Sequence, residues 1–405
     1  MRNSYYHEQL NRNFSIATVW IKGGSNKDII GKKGINQILC SLITRGCEGF
    51  DNFDLSNYIE SFGAELNHEV LEDGMSISIK SLNEDFDKLL PLLDLMVNKP
   101  KLSDIQFQIV KKSTLRAIKR DKENPFNKCF DNWRKVVYSK HPYAFNSIGY
   151  EDDVSSISYQ DILNEYENFR NRNKYLISNN LKIKTKNLNF LDDKISEKDS
   201  YLQNRSLSKE KRVICSTHDT NQIIILLGNQ TCSRRSNDYL PLKVLESHLS
   251  YGMSSLLFKL FREKNGITYD VGVFNSVKEG NSPFLVYLSV SNKNALFAFE
   301  ILILLWRELL FKSISEEEIR LAKEKLKSSF LISNQSLDEI LQRKILLISY
   351  GIDPNSEKND LSNIDAFTSE NIKILMNKYF AKPFLSITGD KKICSDIKQK
   401  WIEDF

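Results

Sequence analysis

Ser158-Tyr-Gln-Asp-Ile-Leu-Asn-Glu-Tyr-Glu-Asn-Phe169, running into Tyr175-Leu-Ile-Ser178, is written again 210 positions later as Thr368-Ser-Glu-Asn-Ile-Lys-Ile-Leu-Met-Asn-Lys-Tyr379, running into Phe384-Leu-Ser-Ile-Thr388. Each copy is a hydroxyl cap, an amphipathic helix and a short β-prone run. Two more landmarks precede it in the same order. An alternating strand, Met75 to Leu82 or Phe284 to Val290, leads to a long apolar helix, Asp87 to Met96 or Ala298 to Trp306. A second helix then opens on Ser103-Asp104 or on Ser315 followed by three glutamates, carboxylates that suit the positive end of the helix dipole. A repeat with this period predicts an α+β chain of two homologous domains, each an antiparallel sheet packed with helices. The domains are read as 1–190 and 212–405, joined by a polar, lysine-rich linker over 191–211 that has no hydrophobic period.

Composition narrows the function classes without naming one. The 405 residues are 41% apolar, enough for sizeable cores, and 57 Lys and Arg against 52 Asp and Glu leave a net charge of only +5. No long-range basic field results, so nucleic acid is disfavoured as a partner. Six scattered cysteines form no Cys-x-x-Cys pair and read as free thiols in a reducing compartment. The N-terminal stretch lacks the apolar run of a signal peptide. The longest apolar stretch, Ala295 to Trp306, is interrupted by Glu300 and falls short of the roughly 20 residues a bilayer span requires. A cytoplasmic protein without membrane insertion is expected.

At the level of motifs the chain resembles the pitrilysin and insulinase family of inverted-zincin metallopeptidases, in particular the short, two-domain kind similar to mitochondrial processing peptidase. The stretches that carry the resemblance are Gly31-Lys-Lys-Gly-Ile-Asn36, Phe62-Gly-Ala-Glu-Leu-Asn67, Lys99-Pro100, Asn124-Pro125 and His141-Pro-Tyr143 with Gly149. In the second half they are Gly252-Met-Ser-Ser-Leu-Leu-Phe258 and Arg262-Glu-Lys-Asn-Gly-Ile-Thr-Tyr269. Chemistry in that family rests on a helix bearing His-x-x-Glu-His and a distant third zinc ligand. Positions i, i+3 and i+4 share a helix face, so two imidazoles hold the metal beside a carboxylate that deprotonates its water.

Here the aligned helix is Gly34 to Arg45, with Asn36 and Cys40 at the histidine positions, Leu39 at the glutamate, and the third ligand falling on or next to Ala117. No metal ligand is therefore expected in this chain, because one thiol cannot replace three ligands. The five histidines, His7, His68, His141, His218 and His248, include no pair at ligand spacing. His141-Pro-Tyr143 reads as a packing motif.

The resemblance assigns one function that survives. Arg262 and Tyr269 match a pair that reaches the substrate backbone, since a guanidinium and a phenol both donate to peptide carbonyls. Taken alone they read as a solvated helix charge and a half-buried strand residue. Met253, Leu256, Leu257, Leu260 and Phe261 make a helical stripe before them, stopped by Asn265-Gly266. The alternating segment Glu65 to Asp73 is either an ordinary strand with an acidic face or an edge that an extended peptide joins.

The implied function is a non-catalytic, substrate-anchoring subunit of a heterodimeric zinc metallopeptidase. The partner would be a homologous chain with an intact motif, holding the zinc, and the substrate an extended peptide. The alternative is a structural or binding protein that keeps the fold without proteolysis.

Overall fold

Both repeated caps close as reciprocal boxes. The Ser158 hydroxyl accepts from the Asp161 N–H while the Asp161 carboxylate takes the Ser158 N–H, and Thr368 and Asn371 do the same. The structure, a computed structural model, describes residues 4–8, 12–180, 183, 188–191 and 212–404. Apart from Leu191, the linker read at 191–211 lies outside the described residues.

In chain order the first sequence half holds β1 (Ser4–His7), β2 (Phe14–Lys22), α1 (Ile35–Ile43), α2 (Asn52–Glu60), β3 (Glu65–Val70) and β4 (Gly74–Leu82). It continues with α3 (Phe86–Asn98), α4 (Asp104–Glu123), α5 (Pro125–Val137), α6 (Glu151–Ser156), α7 (Tyr159–Arg170) and β5 (Lys174–Ser178). The second holds β6 (Val213–Thr217), β7 (Gln222–Gln230), α8 (Tyr239–Ser250), β8 (Thr268–Phe274), β9 (Pro283–Ser291) and α9 (Ala295–Phe311). After these come α10 (Glu316–Ser333), α11 (Leu337–Ser349), α12 (Ser356–Asn363), α13 (Ser369–Phe380), β10 (Phe384–Gly389) and α14 (Lys391–Asp404).

The repeat is visible in the sheets. The first has strand order β1-β5-β2-β4-β3 and the second β6-β10-β7-β9-β8, the same order with every number raised by five. Neither sheet is wholly antiparallel as the sequence suggested: β1 runs parallel to β5, and β6 to β10. In each case the first strand of the half joins the sheet beside its last, and the intervening helices provide the crossover a parallel pair needs. The mixed α/β, two-sheet layout otherwise agrees with expectation.

Two compact units form, and each takes one helix from the other sequence half. The first comprises residues 1–120, 145–200 and 334–354, the second 121–144, 201–333 and 355–405. In the first, α11 lays Leu337, Leu341, Ile345 and Ile348 on Ile16, Trp20, Tyr175 and Ile177 of the sheet. In the second, α5 covers β7 and β10, where the Cys129 thiol and the Ser386 hydroxyl contact at 3.3 Å and Ser386 donates to the Cys129 carbonyl at 2.8 Å. α5 and α11 start 212 residues apart, each behind an Asn or Ser cap, so they are the repeat's equivalent helices. The opposite face of each sheet packs a large apolar core, Val19, Leu39 and Leu93 among its members in the first unit and Ile225, Phe299 and Trp306 in the second.

Candidate functional site

α1 is set in place by a buried carboxylate. Asp28 accepts the Gly34 N–H at 2.7 Å, the Asn36 N–H at 3.2 Å and the Asn36 side-chain amide at 2.7 Å. Burial pushes its pKa up to about 6, against the pull of those donors and of Lys33. The Asn36 carbonyl in turn accepts from Arg172 at 2.9 Å, and Arg172 also donates to the Gly23 carbonyl and pairs with the buried Glu165.

This network corrects the expected register of the degenerate motif. Asn36 and Leu39 are both 0% exposed and face the interior, where no metal-ligand face exists. The side of α1 that remains half-buried carries Gln37, Ser41 and Thr44, with Cys40 at its margin. At spacing i, i+3 and i+4 the set that meets this side is therefore Gln37, Cys40 and Ser41, one position later, with Cys40 itself buried. Gly34 shows why a sequence reading slips here: the helix begins only after its left-handed turn at φ +98°, and Asn36 then points back to Asp28. The donor chemistry does not suit zinc in either register. An amide, a hydroxyl and a thiol whose pKa burial raises to about 12 replace two imidazoles and a carboxylate, and Ala117 offers no donor from α4. Among the described residues no group of three or more His, Cys, Asp or Glu is arranged to hold a metal ion.

Arg262 lies in a wide π-helical turn, Phe258–Lys264, a geometry that often marks functional positions. Its guanidinium stacks 5.2 Å over the Phe258 ring and makes no ion pair or side-chain hydrogen bond among the described residues. Leu257 and Phe261 are fully buried beneath this turn, whereas Met253, read as part of the stripe, is 73% exposed because the helix starts only at Leu256. The Asn265 side chain closes the turn on the Leu260 carbonyl at 2.7 Å, as the stop signal predicted. Tyr269 then falls at the register shift between Thr268 and Asp270 on β8, the last strand of its sheet. The bulge turns its ring outward, so it is 73% exposed instead of half-buried. The π turn and β8 pack together, so the pair stands on adjoining elements with both polar ends directed to solvent.

β3 is the edge strand of the first sheet, pairing only with β4. Glu65, Asn67 and Glu69 lie exposed along it. His68, exposed as well, turns to α1, where its Nε2 lies 3.0 Å from the Ser41 hydroxyl and its Nδ1 3.3 Å from that of Thr44. Sequence reasoning gave His68 no metal role and overlooked this contact; its signal was the polar stripe Gln37, Ser41 and Thr44 opposite the apolar one. His141 accepts the Tyr143 N–H on Nδ1, and the Tyr143 hydroxyl accepts the Gly280 N–H, both as packing contacts.

A duplicated two-sheet fold of this order, with a helix in place of a zinc-binding one, defines the class as metallopeptidase-like, and comparison with known proteins agrees. The family described as "Insulinase (Peptidase family M16)" matches residues 6–149, and "Peptidase M16 inactive domain" matches residues 160–326. An uncharacterized zinc protease of Rickettsia felis is 22% identical over 376 residues, covering 89% of this chain and 88% of its own. A peptidase M16 inactive domain from Pseudomonas fluorescens superposes with a TM-score of 0.83 at 18% identity, over 96% of this chain and 95% of that one. A protease from Helicobacter pylori gives 0.82 at 18%, over 94% and 95%. The chain belongs to the pitrilysin and insulinase family of metallopeptidases. No helix among its described residues is long and apolar enough to cross a membrane.

Proposed function

We propose that this chain is the non-catalytic, substrate-anchoring subunit of a two-chain zinc metallopeptidase. The partner is a homologous chain with an intact His-x-x-Glu-His helix. Zinc is held by the partner and not by this chain. Arg262 and Tyr269 donate to main-chain carbonyls of an extended peptide, which binds it without reading its sequence. The observation that carries the reading is the contrast between a motif helix without ligands and an Arg–Tyr pair that is exposed and uncommitted. Six free thiols, five of them buried, fit a reducing compartment and a cytoplasmic location.

Co-expression with the motif-bearing relative from the same genome tests the proposal. Peptide hydrolysis is expected from the pair and not from this chain alone, and metal analysis of the single chain is expected to find no stoichiometric zinc. Replacing Arg262→Ala together with Tyr269→Phe is expected to lower kcat/KM of the pair roughly 10- to 100-fold, or about 1.4–2.7 kcal/mol of transition-state stabilisation. A partner fully active by itself, or a pair indifferent to both substitutions, overturns it.

A further inference from the structure

We propose that Ser41 and His68, on the face where the family places its metal, form a serine–histidine dyad able to transfer the acyl group of a small carboxylic ester. The assay needs only this chain, so the inference stands apart from the partner-subunit reading and fails or succeeds independently of it.

The dyad requires the tautomer with Nε2 free, and the neighbouring hydroxyls accommodate it. The Thr44 hydroxyl donates to the Ser41 carbonyl at 3.1 Å, one turn back along α1. With its single proton on that carbonyl, Thr44 Oγ1 can accept from His68 Nδ1 at 3.3 Å, the arrangement in which Nδ1 carries the ring proton. Nε2 is then the unprotonated nitrogen, and it faces the Ser41 hydroxyl at 3.0 Å. Nucleophile, base and orienting group are thus in sequence, the relation that activates a serine hydroxyl. Partial desolvation, with the Arg45 charge nearby, holds the His68 pKa below the ordinary histidine value, so the imidazole is unprotonated at neutral pH.

The residue assigned as donor to the developing oxyanion is one turn earlier. Gln37 is at i−4 from Ser41 on the same half-buried side of α1, and its amide makes no hydrogen bond among the described residues. Cys40 does not compete as nucleophile, because its thiol is fully buried and its pKa pushed up to about 12.

The chemistry balances without a cofactor. Ser41 Oγ bonds to the acyl carbon as its proton passes to His68 Nε2. The bond to the ester's alkoxy oxygen breaks, and that oxygen takes the proton from the imidazolium. Water, deprotonated by the same nitrogen, then releases the carboxylic acid and restores the serine. The third group is a neutral hydroxyl instead of a carboxylate, so the imidazolium is weakly stabilised. Esters with good leaving groups therefore fit, and amides do not.

Purified full-length chain is treated with p-nitrophenyl acetate and, separately, with a fluorophosphonate probe, both with and without a metal chelator. Ester turnover and a single adduct on the Ser41 peptide are expected, unaffected by chelator. Ser41→Ala should abolish the adduct, and His68→Gln should slow its formation about a hundredfold, the size of a general-base contribution. Thermal melts establish that the half-exposed substitutions leave the fold intact. Nitrogen-15 shifts of His68 are expected to show the proton on Nδ1, and Thr44→Val should move them. Failure to label Ser41 in a folded chain, equal turnover by Ser41→Ala, loss of turnover with chelator, or a proton on Nε2 each overturns the proposal.

Discussion

Asp28 illustrates how one side chain decides the local geometry of α1. At 5% exposure it accepts two backbone N–H groups that the helix start leaves unpaired, those of Gly34 and Asn36, together with the Asn36 side-chain amide. Asp28→Ala is expected to cost about 2–4 kcal/mol, the range for stranding buried donors, as read by urea unfolding at neutral pH. Because Asn36 loses its anchor in the same variant, Arg172 and Glu165 lose part of their buried network as well. Gly149 is the neighbouring backbone constraint: at φ +87°, a Cβ there would stand 2.2 Å from the Lys33 carbonyl oxygen. Gly149→Ala is expected to destabilise the first unit by roughly 2–3 kcal/mol or more, visible as a lower thermal midpoint. Asp28 is not legible as special in the sequence, where it is a loop carboxylate, and Gly149 is legible only as part of the family resemblance, not as the close approach it makes to Lys33.

Elements were better foretold than their partners. Caps, periods and the repeat all lie in local sequence, and the hydroxyl caps read at Ser158 and Thr368 form, each as part of a capping box. What local pattern does not contain is where an amphipathic helix places its apolar face. α11 follows α10 in the chain but covers the sheet of β2 and β5, and α5 follows α4 but covers β7 and β10. Leu341→Ala is accordingly expected to destabilise the unit made mostly of residues 1–200, by about 2–5 kcal/mol, the range for truncating a buried leucine. Hydrogen exchange resolved by segment checks this: protection should fall in β2 and β5 and not in β7 or β9. The register of the Gln37, Cys40 and Ser41 set was missed for a related reason. A helix with apolar residues at Ile35, Ile38, Leu39, Leu42 and Ile43 fixes its buried side to within one residue, and the turn at Gly34 decides which side Asn36 joins.

For the whole molecule, the exchange of α5 and α11 means that neither sequence half contains its unit. A fragment of residues 1–190 lacks the helix that covers Ile16, Trp20, Tyr175 and Ile177, and is expected to bind hydrophobic dyes and melt without a sharp transition. A matching fragment with residues 334–354 fused to its end should recover a cooperative melt; equal cooperativity in both fragments would contradict the assignment. Acid stability has a definite sign in the second unit. His141 is buried, its Nδ1 committed to the Tyr143 N–H, and burial together with Lys278 lowers its pKa to about 4. The unfolded chain, titrating near 6.5, binds the proton more readily between those values, so stability is full above about pH 6.5 and falls toward pH 4 by up to about 3 kcal/mol. Against the parent, His141→Gln should therefore lose its disadvantage on acidification, measured by urea unfolding at pH 7.5 and 4.5.

Period, caps and motifs, all properties of short stretches, determined that this protein has two related halves of sheet and helices and that it belongs with the pitrilysin and insulinase family. Tertiary structure decided the rest, because each remaining question concerned residues far apart in the chain. The parallel edge strands, the exchanged helices, the outward turn of Tyr269 at a bulge and the meeting of Ser41 and Thr44 with His68 all depend on which surfaces the two cores bury. Burial is a property of the assembled unit, and no window of sequence contains it.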